Sequence, residues 1–231
     1  MEIDTVNIPE ESEGGNRARL LSFAERMMKK DLHIAFFVDA DFDGILCWPL
    51  LPNVWTTDNH DLEGYLLRED CFDKALRLGV CVEEISASFL LANVLKYGRV
   101  LGLLRILSEV DSLGLPFKKA KLYKSISYDG NSIELNLEKY IKTLLQKASI
   151  SLSQYDKIIT RLKRLKRQFS SISDLKIIHG KDALEIFDEV LRRYDISRGD
   201  GSAILWTSFQ SDLVAEYPNL RIALQFISNN N

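Results

Sequence analysis

Cysteine is scarce in this chain: Cys47, Cys71 and Cys81 are the only three in 231 residues. The number is odd and no pair has CxxC spacing, which excludes a disulfide framework or a cysteine-built zinc site and favours a reducing compartment. Excess charge is also small, with 30 Lys and Arg against 33 Asp and Glu for a net charge of -3. Such a chain has no whole-molecule attraction for nucleic acid, so any affinity of that kind must come from locally clustered basic residues. No apolar run approaches the roughly 18 residues of a membrane span, and the first residues are acidic, unlike a signal peptide. The expected location is cytoplasmic. Internal repeats and low-complexity tracts are absent too. What is present is a 46% apolar composition. That is enough for one large domain or a domain with an appendage, and it excludes wholesale disorder.

The pattern along the chain begins as α/β. MEIDTVNI alternates as a short strand, EESEGG is a turn, and NRARLLSFAERMMKK puts Leu20, Leu21, Phe23, Ala24, Met27 and Met28 on one helical stripe. LHIAFFV is nearly all apolar, as a parallel strand buried on both faces is, and NVWTT is a further short strand. From about residue 61 the periodicity turns helical, with EISASFLLANVLKYGRVLGLLRILSEV suited to buried, packed helices. Alternation around Asp129-Gly130 signals a hairpin with a two-residue turn. LEKYIKTLLQKA, SQYDKIITRLKRLKRQF and KDALEIFDEVLRRYD read as helices, LKIIHG as a short strand, and the tail as two short helices broken near Pro218.

One stretch, FFVDADFDG, feeds three aspartates two residues apart, Asp39, Asp41 and Asp43, from an apolar run. Carboxylates this close repel one another, and a bound cation or solvent exposure relieves them. Three site types use the spacing. A calcium loop of the EF-hand type has its first half here, with Gly44 at the sixth position, but Leu50 stands where a bidentate Glu is needed. A haloacid-dehalogenase-type phosphatase would take Asp41 as nucleophile and Asp43 as acid/base, yet Asp39 then sits where buried strand is expected. In a Toprim-type site, Asp39 and Asp41 emerge at the end of a buried parallel strand and hold Mg²⁺, which keeps several waters.

A second acidic stretch, TTDNHDLEGYLL, places Asp58, Asp61 and Glu63 at another strand-to-helix turn. By itself it reads as a helix start with Asp58 as N-cap. Together the two stretches resemble the domain-of-unknown-function family 4435, Toprim-like proteins found in bacterial anti-phage defence. The resemblance rests on Asp39, Asp41, Asp43, Thr57, Asp58, Asp61, Glu63 and Tyr65, with Gly180, Lys181 and Asp182 in IIHGKDALEIF similar to a later element of the family. It covers residues 14 to 67 and, more loosely, 176 to 187. It implies an open, largely parallel Toprim-like sheet followed by a helix-rich extension. It further implies a Mg²⁺- or Mn²⁺-dependent nuclease acting on DNA or RNA beside a regulatory ATPase partner. Asp39, Asp41, Glu63 and Lys181 would be catalytic, and Asp39, Asp41 and Asp43 would bind metal. Toprim domains begin with a strand that ends in a glutamate, and no such strand is read before MEIDTVNI, so the first catalytic glutamate is expected to be missing. A non-catalytic interaction module that kept the fold is the rival expectation.

The expected divisions are a partial Toprim-like core at 1–67, a helical insertion at 68–170 with its hairpin near 121–135, and a C-terminal strand and helices at 171–231 that complete the core. The helix around KIITRLKRLKRQF carries Lys157, Arg161, Arg164 and Arg167 beside the apolar stripe Ile158, Leu162, Leu165 and Phe169. It reads as a solvated basic face or as a surface that tracks phosphates. His60 reads as a surface or capping residue before a catalytic one, and His179 as structural. Lys181 could offset charge on a scissile phosphate. Trp48, Trp55 and Trp206 read as core or edge residues.

Overall fold

A computed structural model describes residues 16–28 and 34–229. The strand expected in MEIDTVNI and the turn EESEGG lie outside the described residues. The chain divides into two compact units, one formed by residues 1–58 with 212–231 and the other by 59–211. It is a mixed α/β protein, 66% helical, with a small parallel sheet.

In the first unit, α1 (Asn16–Met28) precedes β1 (Phe36–Val38), a one-turn helix α2 (Asp43–Leu46) and β2 (Val54–Thr56). The strands are aromatic and β-branched, types that fit a pleated, buried surface. They pair in parallel with Phe36 opposite Val54 and Val38 opposite Thr56. The apolar stripe of α1 covers them: Ala24, Val38 and Val54 are buried, with Leu20, Leu21, Phe36 and Leu51 packed around them. Met28, at the end of the same stripe, is exposed. α2 stops where Cys47 takes a left-handed conformation, with Pro49 just beyond to prevent its continuation.

The second unit is built on α4 (Ala87–Val110), preceded by α3 (Glu69–Lys74). Ser86 caps α4 by accepting the Phe89 N–H at 3.1 Å. Leu90, Val94, Leu101, Leu104, Ile106 and Leu107 are fully enclosed, so the helix is wrapped on several sides. It is the one helix among the described residues with the length and hydropathy of a membrane span. Next come α5 (Phe117–Ala120) and the antiparallel hairpin β3 (Ile126–Tyr128) and β4 (Ile133–Leu135). The Asp129 N–H reaches the Ser132 carbonyl at 3.3 Å, so the turn itself is Gly130-Asn131, one residue beyond the expected Asp129-Gly130, and the Asp129 carboxylate holds it. Its Oδ1 accepts both the Asn131 and Ser132 N–H groups at 2.7 Å. α6 (Leu137–Lys147) buries Tyr140, Ile141, Leu144 and Leu145, and α7 (Tyr155–Gln168) buries Ile158, Leu162 and Leu165 as its pattern requires.

The strand expected in LKIIHG is instead a helical turn, α8 (Asp174–Ile177). The reason lies on α4, where Gly98 and Gly102 open a groove. A Cβ at Gly102 would stand 2.0 Å from the Ile177 carbonyl oxygen, and one at Gly98 3.0 Å from the Ile178 side chain. The apolar run is thus buried against a helix, with no sheet to join. α9 (Gly180–Leu191) packs on α4 and α3, with Phe187 edge-on to Phe72 at 4.9 Å, and α10 (Asp200–Ser208) closes the unit. The chain then returns to the first unit as α11 (Pro218–Asn229), where Phe226 packs edge-on to Trp55 at 5.2 Å. Trp55 is therefore half-covered, whereas Trp48 and Trp206 are exposed.

Candidate functional site

The parallel pair of strands creates the first site. Val38 ends β1, its carbonyl accepts the Thr57 N–H at 2.9 Å, and the Thr57 hydroxyl accepts the Ala40 N–H at 2.9 Å. The chain leaves the sheet at Asp39 and folds back at once, with Asp41 at φ 47° and the Asp43 N–H reaching the Ala40 carbonyl at 3.0 Å. Aspartate tolerates this left-handed conformation better than most residues. The tight reversal gathers the three aspartates at the carboxyl end of β1, where open α/β sheets place their ligands.

Arg17 of α1 reaches into this turn. Its Nε lies 3.2 Å from the Asp39 carbonyl oxygen and 3.2 Å from Asp41 Oδ2, and its Nη2 donates to Asp43 Oδ2. Asp43 is 5% exposed, and its other oxygen, Oδ1, is buried without a hydrogen-bond partner. Burial pushes the Asp43 carboxyl above its ordinary 3.8, against the opposing pull of Arg17. The Asp41 side chain is 40% exposed and Asp39 is half-buried, so solvent reaches the cluster. Among the described residues, no three His, Cys, Asp or Glu side chains stand together as a ready-made metal cage.

The strand also separates the readings of the aspartates. β1 precedes the cluster where a calcium loop of the EF-hand type has a helix. A phosphatase nucleophile at Asp41 would follow directly on the strand, but β1 ends at Val38 and Asp41 sits inside the turn.

Acids of the second motif serve other ends. Asp58, in the first unit, caps α11 by accepting the N–H groups of Asn219 at 2.9 Å and Leu220 at 3.2 Å, a partner 161 residues away rather than its own neighbours. Asp61, in the second unit, is 4% exposed and caps two helices together. Its Oδ1 accepts the Gly64 N–H at 3.1 Å, and its Oδ2 accepts the Gly180 N–H at 2.7 Å and lies 3.1 Å from His60 Nδ1. Burial raises the Asp61 carboxyl, but His60 and the Gly180 N–H outweigh it and hold the group below its ordinary value. His60 is buried at 2% exposure, not a surface residue, with its N–H on the Leu175 carbonyl.

Glu63 is half-buried on the short helix Leu62–Leu66, against the start of α9. A Cβ at Gly180 would come within 2.3 Å of the Glu63 Cβ and 2.4 Å of Asp61 Oδ1, so glycine is required at that contact. Lys181 is exposed. Asp182 turns inward to a two-point pair with Arg105 of α4, at 2.7 and 2.6 Å. His179, between these groups, is pushed down to about 4 by burial, with Arg105 adding to the effect. Its ring lies 5.4 Å from that of His60.

On α7, Lys157, Arg164 and Arg167 are exposed, while Arg161 forms a two-point pair with Asp111. Lys157 and Arg161 border a cleft of about 420 Å³ with Leu113, Ile150 and Ile158. The candidate residues thus fall in both units: Asp39, Asp41 and Asp43 in the first, Glu63, Lys181 and the basic helix in the second. Sequence reasoning missed Arg17 and Arg105. Both lie in helices read only for their apolar stripes; the run Asp39, Asp41, Asp43 calls for a cation such as Arg17, whereas the lone Asp182 gives no such signal for Arg105. No family model, curated protein or solved structure matches the chain.

Proposed function

We propose that this protein is a Toprim-like, metal-dependent nuclease that hydrolyses phosphodiester bonds in DNA or RNA. One observation carries the reading: Asp39 and Asp41 leave the carboxyl end of a parallel strand in a tight reversal, with a buried Asp43 oxygen left unpartnered beside them. Asp39 and Asp41 would hold Mg²⁺ or Mn²⁺ together with waters. A bound divalent ion supplies charge stabilisation at a phosphoryl oxygen and lowers the pKa of a water. The chain's own part is to fix the carboxylates, through the Thr57 bonds to Val38 and Ala40 and through Arg17. Glu63 and Lys181 are the residues that the family resemblance implies for proton transfer and for phosphate charge. Lys157, Arg164 and Arg167 are the exposed cations suited to the nucleic-acid backbone, and Arg161 joins them less freely because Asp111 holds it. A role in bacterial anti-phage defence beside a regulatory ATPase rests on the same resemblance.

A second reading, a non-catalytic interaction module, is favoured by Arg17, which already supplies a cation to the aspartates. The two separate in one assay. Single- and double-stranded DNA and RNA are incubated with the protein and Mg²⁺ or Mn²⁺, beside Asp39→Ala, Glu63→Gln and Lys181→Met. Metal-dependent cleavage that vanishes in Asp39→Ala supports the nuclease. Cleavage unaffected by Asp39→Ala, or none on any substrate, overturns it and leaves the interaction module.

A further inference from the structure

We propose that the lysine-rich segment 118–124, with the Arg198–Tyr123 stack beside it, is a surface for single-stranded nucleic acid. The inference shares a nucleic-acid ligand with the nuclease reading but needs neither the aspartates nor a metal. In PFKKAKLYKS, Ala120 and Leu122 are buried, and Lys121 between them takes a left-handed conformation at φ 50°. The chain is pinned at those two points, in α5 and the short helix Leu122–Ser125, while Lys118, Lys119, Lys121 and Lys124 all stand exposed. Like charges this close repel one another, and a fold ordinarily sets acids among them. α6, α9 and β3 pack against the segment, and every acid on them is committed elsewhere. Glu138 takes Lys142 at 2.5 Å, Asp182 takes Arg105, and Glu185 accepts the Tyr123 N–H at 3.0 Å. Asp188 holds the N–H groups of Gly199 and Ser202, and Glu189 takes Arg192 and Arg198. Among the described residues, the four ammonium groups have no hydrogen bond or ion pair. Lys139 of α6 adds its charge to theirs, because the group it donates to is the neutral Lys124 carbonyl.

Charge alone describes any solvated lysine face, and a second feature sets this one apart. Arg198 Cζ lies 3.3 Å from the centroid of the Tyr123 ring, a separation that only face-on stacking permits. Glu189 Oε2 fixes the guanidinium, accepting its Nη2 at 2.9 Å and its Nε at 3.2 Å. The Arg198 side chain is 38% exposed, so one plane rests on the ring and the other is open to solvent. Arg193 over Tyr128, at 5.7 Å, repeats the pairing on β3. Unstacked bases lie on guanidinium and aromatic planes, and closely spaced lysines follow the phosphates that join them. A duplex keeps its bases stacked on one another and offers the lysines phosphates alone. An anionic lipid surface or an acidic peptide would likewise use the lysines and leave the open Arg198 plane without a partner.

The test uses the full chain in EDTA, so that no metal-dependent step contributes. Fluorescence anisotropy follows labelled oligo-dT and oligo-U of about twelve nucleotides, within the span such surfaces cover, beside a DNA duplex of the same length. Lys119→Ala combined with Lys124→Ala should lower the slope of log affinity against log salt by about 1.4 on the single strands, about 0.7 for each lysine. Both lysines are exposed and unpaired, so the fold is unaffected. Arg198→Lys keeps the charge and loses the plane. It should weaken single-strand binding about tenfold while leaving duplex binding and the salt slope unchanged. No single-strand binding, a salt slope unmoved by the lysine variant, or a loss in Arg198→Lys that is absent or equal for strand and duplex overturns the inference. So does binding to phosphatidylserine vesicles with none to the oligonucleotides, which makes the face a membrane surface. Single-strand binding that follows these variants, with no cleavage once Mg²⁺ or Mn²⁺ is supplied, sinks the nuclease reading alone. Asp39-dependent cleavage with binding indifferent to these variants sinks this inference alone.

Discussion

Asp43 in the first unit and Asp61 in the second are both aspartates with about a twentieth of their surface exposed, and they are treated in opposite ways. Each oxygen of Asp61 receives a backbone N–H, and a histidine ring adds a further contact. Asp43 has a single arginine on one oxygen and nothing on the other. The same contrast extends to their neighbours. Asp182 is locked by Arg105, with both side chains largely buried, while Asp41 shares Arg17 and stays open to solvent. Asp61 has its hydrogen-bonding capacity filled and serves the fold, whereas Asp43 keeps one buried oxygen without a hydrogen bond. That difference separates two aspartates that sequence spacing made look alike.

Four experiments would break or sharpen this contrast. The largest effect is expected from Asp182→Ala, which strands Arg105 without its partner, a loss of about 3–5 kcal/mol. Asp43→Asn should cost far less, about 1 kcal/mol, because Arg17 keeps Asp41. Urea unfolding of both variants checks the ranking, and equal losses would erase the distinction between the clusters.

Glycines give the next test. Gly180→Ala drives a methyl into Glu63 and Asp61 and should lose about 1–3 kcal/mol. Gly44→Ala, beside the aspartate cluster in α2, meets nothing within 4 Å and should gain up to about 1 kcal/mol from helix propensity. Thermal melts of the pair measure both, and a damaging Gly44→Ala would mean that the first site is as tightly packed as the second.

Acid titration should show opposite signs. The folded Asp61 carboxyl lies below 3.8, so its contribution is present above that value and is lost as pH falls through the folded one. The Asp43 carboxyl lies above 3.8, so its contribution is present below that value and is lost as pH rises through the folded one. His179 falls from 6.5 to about 4 on folding, so its contribution is complete above 6.5 and is lost as pH drops toward 4. Urea midpoints taken across pH 3 to 8 should show a shallower decline between pH 6.5 and 4 in His179→Gln, and Asp43→Asn should lose the component that grows in acid. An unchanged decline in His179→Gln would show that the ring is not held neutral.

The smallest effect concerns α7. Arg164→Glu should flatten the salt dependence of nucleic-acid binding by roughly the two charges it reverses, with stability unchanged within about 0.5 kcal/mol. Arg161→Glu should also lower stability, because it sets a carboxylate against Asp111. Filter binding at several salt concentrations, paired with melts, separates the two, and a salt slope unmoved by Arg164→Glu returns the helix to a solvated face.

Periodicity and composition determined the local elements. The amphipathic stripes of α1, α6, α7 and α9, the aromatic and β-branched runs of β1 and β2, and the turn chemistry at Asp129-Gly130 all follow from side-chain spacing and backbone preference, which act over a few residues. The DxD at the end of β1 was legible for the same reason, since a strand followed by a tight acidic turn is a local pattern. Tertiary structure decided the rest. LKIIHG has the apolar content of a strand, but the groove at Gly98 and Gly102 turned it into a buried helical turn. Asp58 reads as the N-cap of the helix that follows it, yet it caps α11 through Asn219, and Asp61 reaches Gly180 as well as its neighbour Gly64. Arg17 and Arg105 gave no local sign of their roles, because the charge that neutralises a carboxylate is chosen by distance in space, and spacing along the chain does not encode it.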